Sequence, residues 1–122
     1  MTKRRILVVD DDKDVLDYLQ AKIGGRYDVT STDAPKKVLE LVRRQKPDVI
    51  VCDIHMPELD GVEVSKALQA DPELRHIPLL FLTGIASPED IERLSGQLGG
   101  RPAISKGEPV AKLIELIEAL LR

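Results

Sequence analysis

The chain has 122 residues, 43% of them apolar, which is one domain's worth of chain with enough apolar matter for its own core. Eighteen basic residues stand against 21 acidic ones, a net charge of −3, and the aromatics are limited to Tyr18, Tyr27 and Phe81. That balance argues against a basic nucleic-acid surface and against a base-stacking platform.

Other classes fall away as quickly. A single cysteine, Cys52, excludes an internal disulfide and a thiolate zinc cage. The basic start Lys3-Arg4-Arg5 leads into only four apolar residues, Ile6 to Val9, too short for a signal-peptide core. No apolar run approaches the ~20 residues of a membrane span. The expectation is one cytoplasmic domain over residues 1–122, with neither membrane nor nucleic acid as partner.

Along the chain, short apolar runs alternate with longer amphipathic stretches. Ile6-Leu7-Val8-Val9 reads as a strand buried on both faces. Val15, Leu16, Leu19 and Ile23 then form one helical stripe, with Asp12 and Asp14 suited to the helix start. Tyr27 to Ser31 is a more polar strand, expected at an edge. Pro35 to Gln45 carries Val38, Leu41 and Val42 at helical spacing.

Val49-Ile50-Val51-Cys52 is the next buried strand, and Val62 to Ala70 a helix after the turn at Asp60-Gly61. Leu79 to Leu82 is a further apolar strand. Ser87-Pro88-Glu89-Asp90 has the cap, the N1 proline and the first-turn acids of a helix start. Pro102 to Ser105 is a short last strand. Glu108-Pro109 opens a helix with Val110, Leu113, Ile114, Ile117 and Leu121 on one face. Five strands alternating with five helices imply an α/β fold, a doubly wound parallel sheet with helices on both faces.

Ligands of such sheets bind beyond the carboxyl ends of the strands. Here the strands end in Asp10-Asp11-Asp12, in Asp53, in Thr83 and in Lys106. Converging carboxylates repel unless a cation joins them, and an all-oxygen site suits Mg²⁺. A carboxylate beside such a metal can attack phosphorus and form an aspartyl phosphate. A lysine and a hydroxyl can then stabilise the phosphoryl oxygens. Asp12 reads as the cap of the first helix, and Cys52, on the opposite strand face from Asp53, as a small buried hydrophobe. His76, in a polar loop, carries no signal.

Four motifs in order, Ile6 to Asp12, Asp53-Ile54-His55-Met56-Pro57-Glu58-Leu59-Asp60-Gly61, Phe81-Leu82-Thr83-Gly84 and Lys106, resemble those of the receiver domains of two-component response regulators, the CheY-like family. The resemblance spans essentially the whole chain. It implies the flavodoxin-like strand order 2-1-3-4-5. It implies that Asp53 accepts a phosphoryl group from a histidine kinase or phosphotransfer protein. Asp11 would bind Mg²⁺ directly, Asp10 through water, and the backbone carbonyl of His55 as a further ligand, beside Asp53 itself. Lys106 would pair with Asp53, Thr83 would bond a phosphoryl oxygen, and the small Gly84 would leave access. The His55 side chain would border the site and tune water access.

The resemblance also implies a downstream protein target or a linked effector, and allows a phosphorylation-dependent dimer. The chain is expected to be either a stand-alone receiver or a receiver cut from a longer protein, and to catalyse only its own phosphoryl transfer and dephosphorylation.

Two positions depart from the family pattern. Gly107 replaces the proline that follows the lysine with a cis bond, and a non-proline cis bond costs ~2.5–4 kcal/mol, so a rearranged trans loop is expected. Ala103 replaces an aromatic switch residue, so readout through the last strand is expected to differ. Two other functions compete: a pseudo-receiver used only for docking, and a Mg²⁺-dependent phosphohydrolase. The latter would want a second acid two residues after the nucleophile, where this chain has His55. A flavin or nucleotide module lacks its Gly-rich phosphate loop.

Overall fold

The computed structural model describes residues 3–122. Along them run β1 (Arg5–Val9), α1 (Lys13–Ile23), β2 (Asp28–Thr32), α2 (Val38–Gln45), β3 (Val49–Cys52), α3 (Gly61–Ala70), β4 (Leu79–Thr83), α4 (Pro88–Arg93), β5 (Gln97–Leu98), β6 (Arg101–Ser105) and α5 (Val110–Leu120). The sheet order is β2-β1-β3-β4-β6-β5, parallel throughout except for the β5–β6 pair.

The apolar runs become central strands because both of their faces are covered. Successive side chains on a strand point to opposite sides. Leu7, Val9, Ile50, Cys52, Leu79 and Phe81 therefore pack with Val38 and Val42 of α2 and Val64 and Leu68 of α3. The alternate set, Ile6, Val8, Val49, Val51, Leu80, Leu82 and Ile104, packs with Leu19 and Ile23 of α1 and Leu113 and Ile117 of α5. Each fully buried aliphatic side chain of this kind contributes roughly 1.5–3 kcal/mol.

Helix starts follow local chemistry. The Asp12 carboxylate accepts the Asp14 amide hydrogen at 2.9 Å, the capping role expected for it. Asp60 caps α3 through the Glu63 amide at 2.9 Å, and Ser87 and Asp90 form a reciprocal capping box on α4. At α2, a 3-10 turn over Pro35–Lys37, opened by the proline and without a side-chain cap, precedes the helix proper. The edge strand runs one residue later than expected, Asp28–Thr32, because the Tyr27 amide donates back to the Ile23 carbonyl at 2.9 Å, while its buried side chain donates its hydroxyl to Glu118 of α5.

The sheet has six strands rather than the expected five. Ser95, Gly96, Gly99 and Gly100 all take left-handed backbone angles, with φ of 58°, 75°, 57° and 78°. The first two end α4 after six residues, and the glycine pair reverses the chain, so that Gln97–Leu98 lies antiparallel against Arg101–Pro102. Arg101 ties this edge back to α3, its guanidinium donating to Ser65 at 2.9 Å and Gln69 at 3.0 Å. No helix among the described residues is long and apolar enough to cross a membrane.

Candidate functional site

Backbone pairing places the site residues side by side. The amide of Asp10 donates to the carbonyl of Thr32 at 3.1 Å, that of Asp53 to Val9 at 2.8 Å and that of Lys106 to Thr83 at 2.8 Å. Each residue thus sits one step beyond its strand yet remains stitched to the neighbouring one. Residues that are 43 and 53 positions apart in the chain (10 to 53, 53 to 106) meet at one mouth.

Side chains finish the arrangement. Carboxylate oxygens of Asp10, Asp11 and Asp53 all lie within 4.8 Å of one another. Asp10 and Asp53 are buried, whereas Asp11 is exposed. Lys106 reaches in from the last loop, its Nζ 2.8 Å from Asp10 and 3.5 Å from Asp53. The expected pairing with Asp53 is therefore present, but Asp10 is the nearer partner. Thr83 is fully buried at the end of β4, and its hydroxyl accepts the Ile85 amide hydrogen at 3.1 Å. A hydroxyl used as an acceptor still has its own hydrogen to donate. His55 lies in the loop after Asp53 with its side chain exposed.

Charge balance sets the titration. Burial, and then the Asp10 charge, push the Asp53 carboxyl above its ordinary range, with Lys106 pulling the other way. Burial works against the Lys106 charge, but the hydrogen bond and charge of Asp10, backed by Asp53, more than offset it and hold the ammonium above its usual range. Cys52 is an inert neighbour: burial, then the Asp53 charge, drive its thiol far up, and its Sγ donates to the Asp53 carbonyl at 3.2 Å.

Four strand ends close on themselves in the same way. Thr32, Asp10, Thr83 and Ser105 each accept, through a side-chain oxygen, the amide hydrogen two residues on, at 3.1, 2.9, 3.1 and 3.2 Å. Asp53 stands outside this pattern. Its loop is held from the far side by Gly61, whose amide donates to Ile54 at 2.7 Å. A Cβ on Gly61 would strike the Asp53 carbonyl oxygen and come within 2.9 Å of Ile54 Cα. Reading Asp60-Gly61 as a turn missed this contact; the Asp-Gly pair ahead of a helix was the available signal. Gly84 behaves differently, since a Cβ there would meet only Lys106 Cδ at an ordinary 3.5 Å. All peptide bonds among the described residues are trans, including that before Gly107, as expected without the proline.

The donors fit a hard divalent cation. Three carboxylates face one ammonium, so the mouth carries excess negative charge, and every candidate ligand atom is oxygen.

Comparison with known proteins agrees with this geometry. Residues 6–118 match the response regulator receiver domain family. The polar-differentiation response regulator DivK of Brucella ovis is 36% identical over 121 residues, covering 99% of this chain and 98% of that protein. The BeF3-activated N-terminal receiver domain of Klebsiella pneumoniae RstA superposes with a TM-score of 0.79 at 29% identity, covering 98% of this chain and 99% of that one. The chemotaxis response regulator CheY4 of Vibrio cholerae, at 24% identity, shares the fold, with a TM-score of 0.81 over 98% of this chain and all of that one. A six-stranded sheet with one short antiparallel edge, an acidic mouth at its carboxyl end and a family match over nearly the full length lead to one conclusion: this chain belongs to the CheY-like response regulator receiver domains of two-component systems.

Proposed function

We propose that this receiver domain is a phosphoacceptor switch whose acceptor is Asp53, supplied by the phosphohistidine of a histidine kinase or phosphotransfer protein. The observation that carries the reading is a buried carboxylate sharing one lysine with a second buried carboxylate, at the mouth of the sheet. An Asp53 oxygen forms the new bond to phosphorus as the bond from phosphorus to the histidine nitrogen breaks, and the electron pair leaves with the imidazole. Lys106 balances the charge that builds on the phosphoryl oxygens, and the free hydroxyl hydrogen of Thr83 donates to one of them.

Asp10, Asp11, Asp53 and the backbone carbonyl of His55 would hold Mg²⁺, which supplies positive charge for both the carboxylates and the phosphoryl group when bound. The exposed His55 side chain borders the path of the hydrolytic water. The chemistry stops at the domain's own phosphorylation and dephosphorylation. The signal passes to a downstream protein or a linked effector through the face bordered by β6. Ala103 offers no ring there to change rotamer, so readout through β6 and the helices beside it differs from a threonine-to-aromatic coupling.

Acetyl phosphate with Mg²⁺ tests the assignment. Intact mass should reveal one labile phosphoryl adduct in the wild type and none in Asp53→Asn. Beryllofluoride, the activator named for the RstA receiver, should bind in the phosphoryl position. Absence of both adduct and beryllofluoride binding would leave a docking module. Sustained hydrolysis of unrelated phosphoesters would make the domain a phosphohydrolase.

A further inference from the structure

Lys106 sits on a short turn, residues 105–108, that packing does little to hold. On one side a cleft of about 200 Å³ separates α1 from the turn, and Ser105, Lys106 and Glu108 line it with Val15, Tyr18 and Val110. On the other side a cleft of about 540 Å³ lies between α4 and α5, and Ser105 and Glu108 line that one too, with Ala103 in its wall. A segment flanked by space on both sides lacks the close packing that fixes side chains in a core. Gly107, at the tip of the turn, has no side chain to contribute and is exposed.

Hydrogen bonds take over that task. The Lys106 amide donates to the Thr83 carbonyl at 2.8 Å, which fixes where the turn begins. Ser105 then accepts twice: its carbonyl takes the Glu108 amide hydrogen at 3.1 Å, and its buried hydroxyl takes the Gly107 amide hydrogen at 3.2 Å. The first is an ordinary turn bond. The second comes from a side chain, so a single substitution can remove it without altering the strand pairing.

We propose that Ser105 is a positioning residue for phosphoryl transfer, its hydroxyl bond to the Gly107 amide holding the turn that aims Lys106 at Asp10 and Asp53. The inference rests on the phosphoacceptor reading and adds to it a residue that touches neither carboxylate. The lysine is held 2.8 Å from one and 3.5 Å from the other, so a loosened turn misplaces the cation relative to both.

The experiment compares wild type, Ser105→Ala and Ser105→Thr. Adduct formation from acetyl phosphate with Mg²⁺ is followed by intact mass, with the thermal midpoint and the NMR resonance of the Lys106 ε-CH₂ as controls. Ser105→Ala should slow the reaction about two- to tenfold, the scale of one lost hydrogen bond, and shift the Lys106 resonance toward that of a free lysine. Ser105→Thr keeps the hydroxyl, the clefts leave room for its methyl, and it should restore both rate and resonance. In wild-type protein the Gly107 amide should exchange at least about tenfold more slowly than in a short peptide. That last measurement needs no variant and stands even if Ser105→Ala folds poorly. A wild-type rate in Ser105→Ala, a Ser105→Thr as slow as the alanine variant, or an unprotected Gly107 amide would each overturn the proposal. A wild type that takes no adduct removes the phosphoacceptor reading and this proposal together, whereas normal wild-type labelling with an unaffected Ser105→Ala removes only this one.

Discussion

Lys106 is bonded more closely to Asp10 than to Asp53, at 2.8 Å against 3.5 Å, so the one ammonium at the mouth is shared unequally between two buried carboxylates. The nearer of the two is a candidate metal ligand, and the farther one the candidate acceptor. The lysine therefore links the two halves of the chemistry.

That sharing sets opposite shifts for two variants. In Asp10→Asn the like charge beside Asp53 is gone and Lys106 has only Asp53 to pair with. The Asp53 carboxyl should then titrate at a lower pH than in wild type. In Lys106→Met the counter-charge is lost, and the same carboxyl should titrate higher. Carbon-detected NMR of the aspartate carboxyls reads both. Lys106→Met should also slow adduct formation about 10²-fold, as expected when a preorganised charge on the reacting group is removed.

Stability should respond to pH through Asp53. Its pKa is raised in the folded state, so the fold binds that proton more tightly than the unfolded chain does. The carboxylate then costs stability at every pH above its folded value, and the cost disappears below the unfolded value near 3.8. Asp53→Asn should accordingly be more stable than wild type at pH 7, read as a higher melting temperature. The gain should shrink as the pH falls toward 3.8 and vanish below it. Thermal melts of both proteins across that range, at fixed ionic strength and without divalent ions, check the sign.

Divalent cations should reverse the same penalty. Added Mg²⁺ should bind only the folded mouth and stabilise it as its concentration passes the dissociation constant, by ~2.7 kcal/mol at a hundredfold excess, with the melting temperature rising in step. Asp11→Asn should weaken the effect, and Asp10→Asn should weaken it with little loss of fold, because its amide side chain can still accept the Asp12 amide hydrogen. Equal Mg²⁺ stabilisation of wild type and both variants would place the ion elsewhere.

Two glycines near the site should behave oppositely. Gly61→Ala forces a methyl against the Asp53 carbonyl and Ile54 Cα, both backbone atoms, so it should cost about 2 kcal/mol or more. It should also displace the acceptor and slow labelling. Gly84→Ala meets only the flexible middle of Lys106 and should melt within about 0.5 kcal/mol of wild type. Urea unfolding of the two variants distinguishes them.

The parts legible in the sequence are those set by burial. Val49 to Cys52 and Leu79 to Leu82 announce themselves because a strand covered on both faces must be apolar at every position. The polar residues that end these runs, Asp53 and Thr83, were legible for the same reason: each breaks an apolar run at the edge of the core. The two-residue β5 was not, because two positions carry no period, and its glycines signal a reversal without saying what pairs across it. The preference of Lys106 for Asp10 depends on where a long side chain settles between two acceptors, which no spacing encodes. Gly61 appeared as turn chemistry; only the folded backbone reveals that space, rather than a turn angle, demands the glycine there.

The self-closing strand ends divide the mouth into parts with different freedom to diverge. After Thr32, Thr83 and Ser105 the anchor lies two residues beyond the strand, so a longer segment spliced in beyond that anchor leaves the strand end as it was. The loop after Asp53 is fastened at its far end, by the approach of Gly61, so any insertion there changes the span between the acceptor and its fastening. Loop grafting onto this scaffold, whether by evolution or by design, has permissive entry points after Thr32, Thr83 and Ser105, whereas Asp12 both anchors the Asp10 end and caps α1, and the loop after Asp53 is closed.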